Sequence, residues 1–387
     1  MVVLKDIFTI LFYVGLWKPA TWHGWKSILY TLYTSCIVIM ASTFLITEVM
    51  DLIFVTSNIV EFTNNIFMMS AVISSFIKTI IIIRHRKIIT DIIDVLKIYL
   101  SKIRDNEEII IIDRYTRLIK FMNRSFLCTA LFGVSLMVYV ASSQNISQHI
   151  LFYRAWLPYN YSQPMAYWMT TTGQVLTIYI LTIIYTVFIL LFSGIMFNIC
   201  AHINIFKYHL QITFSDEYYH SCNDKRRCIS KKENDKKTIN DCVETYLSIR
   251  RLFNTVKDLF SSIMLYQYSV GSIIFCTSAY NVLQVELFSA HFFSIILYML
   301  NMMTELFIIC ITCNEITLEF QGVPNALYHS LWYVTDNHNR KSIVIMMSYT
   351  LKPVYFTCGY VIDLSLDSFT NVLKLSYSIY NVLQSTF

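Results

Sequence analysis

The chain has 387 residues, of which 56% are hydrophobic, 16% aromatic and only 14% charged, with a formal net charge of +5. Soluble domains carry about a quarter charged residues, so this balance excludes an ordinary soluble protein and describes a membrane protein. Eight glycines and five prolines punctuate the chain, and its apolar runs lack the alternation of an outer-membrane barrel, which leaves helices as the spanning elements.

After Lys5 and Asp6 comes the apolar run "IFTILFYVGLW" at 7–17, too short to cross a bilayer core of about 30 Å. No small-residue cleavage site follows it, so it predicts an interfacial helix rather than a cleaved leader, with Trp17, Trp22 and Trp25 at headgroup depth. Segments of spanning length follow at 28–47, 59–83, 121–142, 172–199, 259–284, 288–313 and 362–387. They predict an all-α membrane protein with seven transmembrane helices.

Lys and Arg crowd the stretches 84–124 and 207–257, while the alternate loops at 48–58, 143–171 and 285–287 hold Arg154 alone. The positive-inside rule therefore puts the N-terminus in the cytoplasm and Phe387 outside. The basic charge belongs to the cytoplasmic membrane face, with no nucleic-acid partner implied. Two sequons, Asn145-Ile-Ser147 and Asn160-Tyr-Ser162, fall in an outside loop and are candidate glycosylation sites, whereas the sequon at Asn123 falls on the cytoplasmic side.

Helical periodicity continues past the membrane at 199–213, 241–260 and 314–333, which predicts cytosolic extensions of spans four to six that pack together. The stretch 215–237 reads as charged and flexible. Lys78 lies about two turns from Arg84 and is expected to snorkel to the inner headgroups, while Glu305 is placed to bond to a neighbouring helix.

Motifs for catalysis and metals are thin. The Cys310/Cys313 pair has no second pair in register and reads as buried thiols, and the nine histidines show no metal-ligand spacing. No enzyme, cofactor or metal site is expected. The triplet Asp113-Arg114-Tyr115 invites a G-protein-coupled receptor, but it precedes the third span, and the inferred topology is inverted relative to those receptors.

The last span carries a different pattern. Asp367, Asn371, Lys374, Ser378, Asn381 and Ser385 are spaced 4, 3, 4, 3 and 4, which sets all six on one helical stripe. Lipid would leave these groups unsatisfied, so the stripe must face protein or water. Either it is a buried seam between helices, or copies around an axis enclose water, with Val382 narrowing the passage by dewetting.

The C-terminal seventy residues resemble the signature of insect odorant receptors. It includes Tyr328, Trp332 and Tyr333 at the end of span six, Arg340-Lys341, Lys352-Pro353 before the last span, Leu364 to Phe369, and Ser376-Tyr377-Ser378. The resemblance implies a tetrameric ligand-gated, non-selective cation channel in which a tuning receptor assembles with a shared co-receptor. It further implies a pore lined by the last helix and gated at Val382 and Thr386, with a cytosolic anchor at 200–213, 241–260, 314–333 and 338–352.

The implied division is 1–313 for spans one to six, 314–353 for the anchor with the first half of span seven, and 354–387 for the pore helix. Ile379 and Ser385 replace the Tyr and Gln of the co-receptor and gustatory pattern, and the long second cytosolic loop of the co-receptor is missing, so the chain reads as a tuning subunit. The alternatives are a seven-span G-protein-coupled receptor or a gustatory-type channel.

By the same resemblance a small volatile apolar ligand would bind in the outer half of spans two, three, four and six, in the plasma membrane of an olfactory neuron dendrite. Candidate positions are Ile66, Met69 and Ile73, then Ala130, Gly133 and Met137, then Thr172 and Leu176, and Phe292 and Ile296.

Overall fold

The computed structural model describes the backbone except at residues 1, 20, 55–58, 102–104, 146–150, 154, 160, 162, 214–224, 285–288, 331, 335, 360 and 387. Beyond these it describes the side chains of all but 2–4, 59–68, 99–101, 144–145, 213, 225–236, 238, 276–277, 279–281, 283–284, 290–291, 334, 379–380 and 382–386. Helix α1 spans Val2–Tyr13, α2 Trp25–Phe54, α3 Ile59–Arg84, α4 Arg86–Ser101, α5 Asn106–Asn145 and α6 Pro164–Thr213. Helix α7 covers Lys225–Gln284, α8 Ala290–His329, α9 Asn337–Thr350 and α10 Leu366–Thr386. A short hairpin of β1 (Thr357–Cys358) and β2 (Ile362–Asp363) separates the last two helices.

Helices α2, α3, α5, α6, α7, α8 and α10 sit on the seven predicted spans. Among the described residues, stretches of α2, α5, α6 and α8 are long and apolar enough to cross a membrane by length and composition. Helix α6 is the most apolar, with a mean hydropathy of 2.6, and its place explains why. Val187, Phe188, Ile189, Leu191, Phe192, Ile195, Met196, Ile199 and Cys200 are fully buried, so this middle stretch of the helix has no exposed face and stands at the centre of the bundle. The helix that reads as hydrophobic all round is the one the others enclose.

The end of the bundle that carries the basic stretches is also a packed core. Phe253 of α7 meets Phe320 of α8 at 5.5 Å and Phe356 at 6.3 Å, and Ile343 and Met346 of α9 close the cluster. Truncating Phe253 to alanine is expected to cost about 3–5 kcal/mol. A fall in the thermal midpoint of the solubilised protein would show it.

Several expectations are corrected. Helix α1 packs one face on the bundle and leaves Lys5, Asp6, Thr9 and Tyr13 exposed. Ile7 and Leu11 are buried in the main core, the Tyr30 hydroxyl donates to the Phe12 carbonyl at 3.1 Å, and Trp17 stacks on Phe8 at 4.5 Å with Arg86 over its ring. The apolar 7–17 run is thus the docking face of a helix packed against α6; only Trp25 of the three tryptophans is largely exposed. Residues 225–237 are helical as the first turns of α7, and 215–224 lie outside the described residues. The basic 84–120 stretch is two helices, α4 and the start of α5, and α4 buries Ile89, Ile92, Ile93 and Leu96.

The last span starts at Leu366 rather than 362, because 357–363 is spent on the hairpin. Gly359 turns that hairpin at φ +55, a left-handed conformation that favours glycine, and a Cβ there would press on the tip of the Leu265 side chain of α7. The Ser261 hydroxyl of α7 clips the turn by donating to Thr357 O at 3.2 Å while its oxygen accepts from the Gly359 amide at 2.8 Å.

Candidate functional site

A cavity of about 130 Å³ lies between α2, α3, α5, α6 and α8. Its walls are mostly apolar: Phe44 from α2, Ala71 and Val72 from α3, Phe126, Ala130, Gly133, Val134 and Met137 from α5, Ile178 and Leu181 from α6, and Met302 from α8. A cavity of ~150 Å³ with such a lining holds a molecule the size of benzene. Glycine at 133 lets α5 approach α8 closely, since a Cβ there would lie 2.8 Å from Asn301 Nδ2.

Tyr153, from the segment between α5 and α6, contributes to the lining as well. It is held by a 3.1 Å bond from Gln174 Nε2 to its carbonyl and by an edge contact with Phe44 at 6.4 Å. The Trp156 amide donates to Thr47 O at 3.1 Å, which ties the same segment to α2.

Polar groups gather at one side. Lys78 Nζ stands 3.4 Å from Glu305 Oε1 and 3.2 Å from the Tyr185 ring centroid, with both charged side chains 1% exposed. The Tyr185 hydroxyl donates to Glu305 Oε2. Gln267 Nε2 donates to Tyr185 at 2.5 Å, and Ser74 donates to Gln267 Oε1 at 2.9 Å. This buried chain joins α3, α6, α7 and α8, and Glu305 and Tyr185 form part of the cavity wall. The snorkelling expected of Lys78 is therefore corrected: its ammonium turns inward because a carboxylate and an aromatic face within the bundle satisfy it.

The structure brings Ala130, Gly133 and Met137 together on the cavity wall. Met69, Ile73, Thr172, Leu176, Phe292 and Ile296 lie off it, with Thr172 and Leu176 exposed, and the side chain of Ile66 is outside the described residues. The cavity draws instead on Thr182, Tyr185 and Thr186 of α6 and on Tyr298, Asn301, Met302 and Glu305 of α8, which lie further along each helix. It also draws on α2 through Glu48. The sequence signal for these was the isolated acid inside an apolar run, present at both Glu48 and Glu305.

On α10 the polar stripe faces outward. Asp367, Asn371, Lys374, Ser378 and Asn381 are exposed, while Ser368, Val372 and Ser376 are buried against the bundle. Tyr268 of α7 donates to Ser368 O at 3.0 Å, and Phe307 meets Phe369 at 5.6 Å, which fixes which face is turned in. The side chains of Val382, Ser385 and Thr386 lie outside the described residues, as do those of the sequon residues Asn145 and Asn160.

Cys310 and Cys313 are buried, Cys310 with its Sγ 4.0 Å from Ser368 Oγ, and no metal-ligand cluster occurs among the described residues. Of the charged triplet, Asp113 pairs with Arg117 at 3.1 Å and Tyr115 donates to Glu319 at 2.9 Å.

These features define a multi-pass helical membrane protein with a cavity of small-molecule size between its helices. The sequence model of the family described as 7tm Odorant receptor matches residues 58–377, and the chain belongs to that family. It is thereby a member of a receptor family, not of an enzyme family.

Among curated relatives, Odorant receptor 43b of Drosophila melanogaster is 21% identical over 150 residues, 38% of this chain. Odorant receptor Or1 of Anopheles gambiae is 27% identical over 149 residues, again 38% of this chain. The matched segment spans 36% of the length of each relative, about a third. The structure of the insect olfactory receptor OR5 from Machilis hrabei in complex with eugenol matches with TM-score 0.84 at 16% identity, over 99% of this chain and 98% of that one. The fold is thus that of an insect odorant receptor.

Proposed function

We propose that the chain is the odorant-binding tuning subunit of a ligand-gated, non-selective cation channel, assembled with a co-receptor as a heterotetramer. It sits in the plasma membrane of a sensory dendrite, N-terminus inside and C-terminus outside. The observation that carries the reading is the outward polar stripe on α10: five exposed polar residues on one face of a helix whose opposite face is buried. In lipid such a stripe is costly, whereas around a shared axis it lines a path for cations.

In this reading 1–313 holds the ligand cavity within the spans, 314–353 forms the cytosolic anchor, and 354–387 supplies the pore helix with its gate at Val382 and Thr386. A small volatile enters the cavity and shifts the population toward the open state by binding it more tightly. Recording from cells that express this chain with the co-receptor is expected to show odour-evoked cation current within milliseconds and without G-protein activity. Current that vanishes when G proteins are blocked would favour a seven-helix G-protein-coupled receptor.

A further inference from the structure

The polar atoms around the cavity do not balance. Ser75 and Thr186 spend their hydroxyl hydrogens on the carbonyls of Ala71 and Thr182 at 2.9 and 2.8 Å, and Tyr185 donates to Glu305. Asn301 gives its Nδ2 to Leu297 O at 3.0 Å, and Glu305 is taken up by Lys78 and Tyr185. Two acceptor oxygens of the lining, Glu48 Oε2 and Asn301 Oδ1, are buried without a hydrogen-bond partner, and the hydroxyls of Tyr153, Thr182 and Tyr298 share the wall.

Glu48 is 3% exposed and lines the cavity beside Phe44 of its own helix. A buried carboxyl oxygen with no partner lowers stability and returns nothing inside the protomer. Asp51, one turn along α2, is also buried.

We infer that the cavity takes a small, largely apolar molecule bearing one terminal O–H or N–H donor, a primary alcohol or amine, and that Glu48 is the acceptor that selects it. The inference rests on the cavity being the odorant site. The apolar walls hold the hydrocarbon body by dispersion and exclusion of water. The donor settles on Glu48, and a molecule lacking the donor leaves that oxygen unpaired. Discrimination of this kind is strong because the penalty falls on the site as well as on the ligand.

The test uses three molecules of matched shape, benzyl alcohol, benzylamine and ethylbenzene, added to the full chain co-expressed and purified with the co-receptor. Their stabilising effect is read as a shift of the thermal midpoint with ligand concentration. The two donors are expected to act at about tenfold lower concentration than ethylbenzene. With Glu48→Leu the gap closes while ethylbenzene is unaffected, and Glu48→Gln, which keeps an acceptor oxygen, keeps the alcohol preference.

Equal potency of all three on the unmodified protein, no response to either donor, or an unchanged order in Glu48→Leu overturns the inference. Leucine removes an unsatisfied carboxylate, so this variant is expected to be at least as heat-stable when unliganded; should it not be recovered, Glu48→Met serves the same purpose. Ala130→Trp fills the cavity and separates the two claims. If it leaves all ligand effects intact, the cavity is not the odorant site. If it abolishes them while Glu48→Leu leaves the order unchanged, only the donor selection fails.

Discussion

Replacing Lys78 by methionine is expected to destabilise the protein by roughly 3–5 kcal/mol, as is Glu305→Leu alone, while the double replacement recovers most of the loss. The reason lies in what each single change leaves behind. Without the ammonium, Glu305 is a carboxylate in a closed interior held only by the Tyr185 hydroxyl. Without the carboxylate, the ammonium keeps only the faces of Tyr185 at 3.2 Å and Phe188 at 5.9 Å. Removing both exchanges an ion pair for apolar side chains of similar volume, which interiors tolerate well.

Thermal midpoints of the solubilised assembly measure all three variants. A double variant as damaged as the two singles added together would mean that Lys78 and Glu305 act independently. The same chain of bonds continues to Gln267, and its neighbour Tyr268 holds the first turn of α10 through Ser368 O. Variants that keep stability but loosen this chain are therefore expected to alter the ligand response as well.

With the outward stripe of α10 on a shared aqueous path, Lys374→Glu is expected to raise cation conductance severalfold and Asp367→Lys to lower it. A unit charge about 4 Å from a permeating ion is worth about 1 kcal/mol even in water, enough for a severalfold change in local ion occupancy. High salt should shrink both effects because mobile ions screen the fixed charge. Single-channel recording at two ionic strengths measures this. Unchanged conductance in both variants would place the stripe against protein instead. The fold should tolerate both changes, since both residues are exposed on the protomer.

Much of the architecture was legible because it rests on one-dimensional patterns. Long apolar runs marked the seven spans, and the spacing of Asp367, Asn371, Lys374, Ser378 and Asn381 marked one face of α10 that is indeed exposed. What was not legible depends on partners far apart in sequence. Lys78 and Glu305 are 227 residues apart, and nothing local tells a snorkelling lysine from a paired one. Helix α4 was hidden by its charges, although Ile89, Ile92, Ile93 and Leu96 give it a buried stripe at helical spacing.

Of the candidate ligand positions, those on α5 line the cavity, while Met69 and Ile73 on α3, Thr172 and Leu176 on α6, and Phe292 and Ile296 on α8 do not. There the phase and depth of each helix follow from packing rather than composition. In a bundle where most faces are apolar, periodicity alone does not say which face borders a void.

The hairpin at 357–363 has a mechanical consequence. Because Ser261 of α7 holds the turn around Gly359 with two hydrogen bonds, the base of the terminal helix is expected to act as a fulcrum. Displacement of that helix then takes the form of rotation about its root, not translation along its axis. Its 21 residues form a lever roughly 30 Å long, so a lean of about 5° at the clip swings the far tip by about 3 Å. A slight rearrangement near the root is thereby magnified at the opposite extremity.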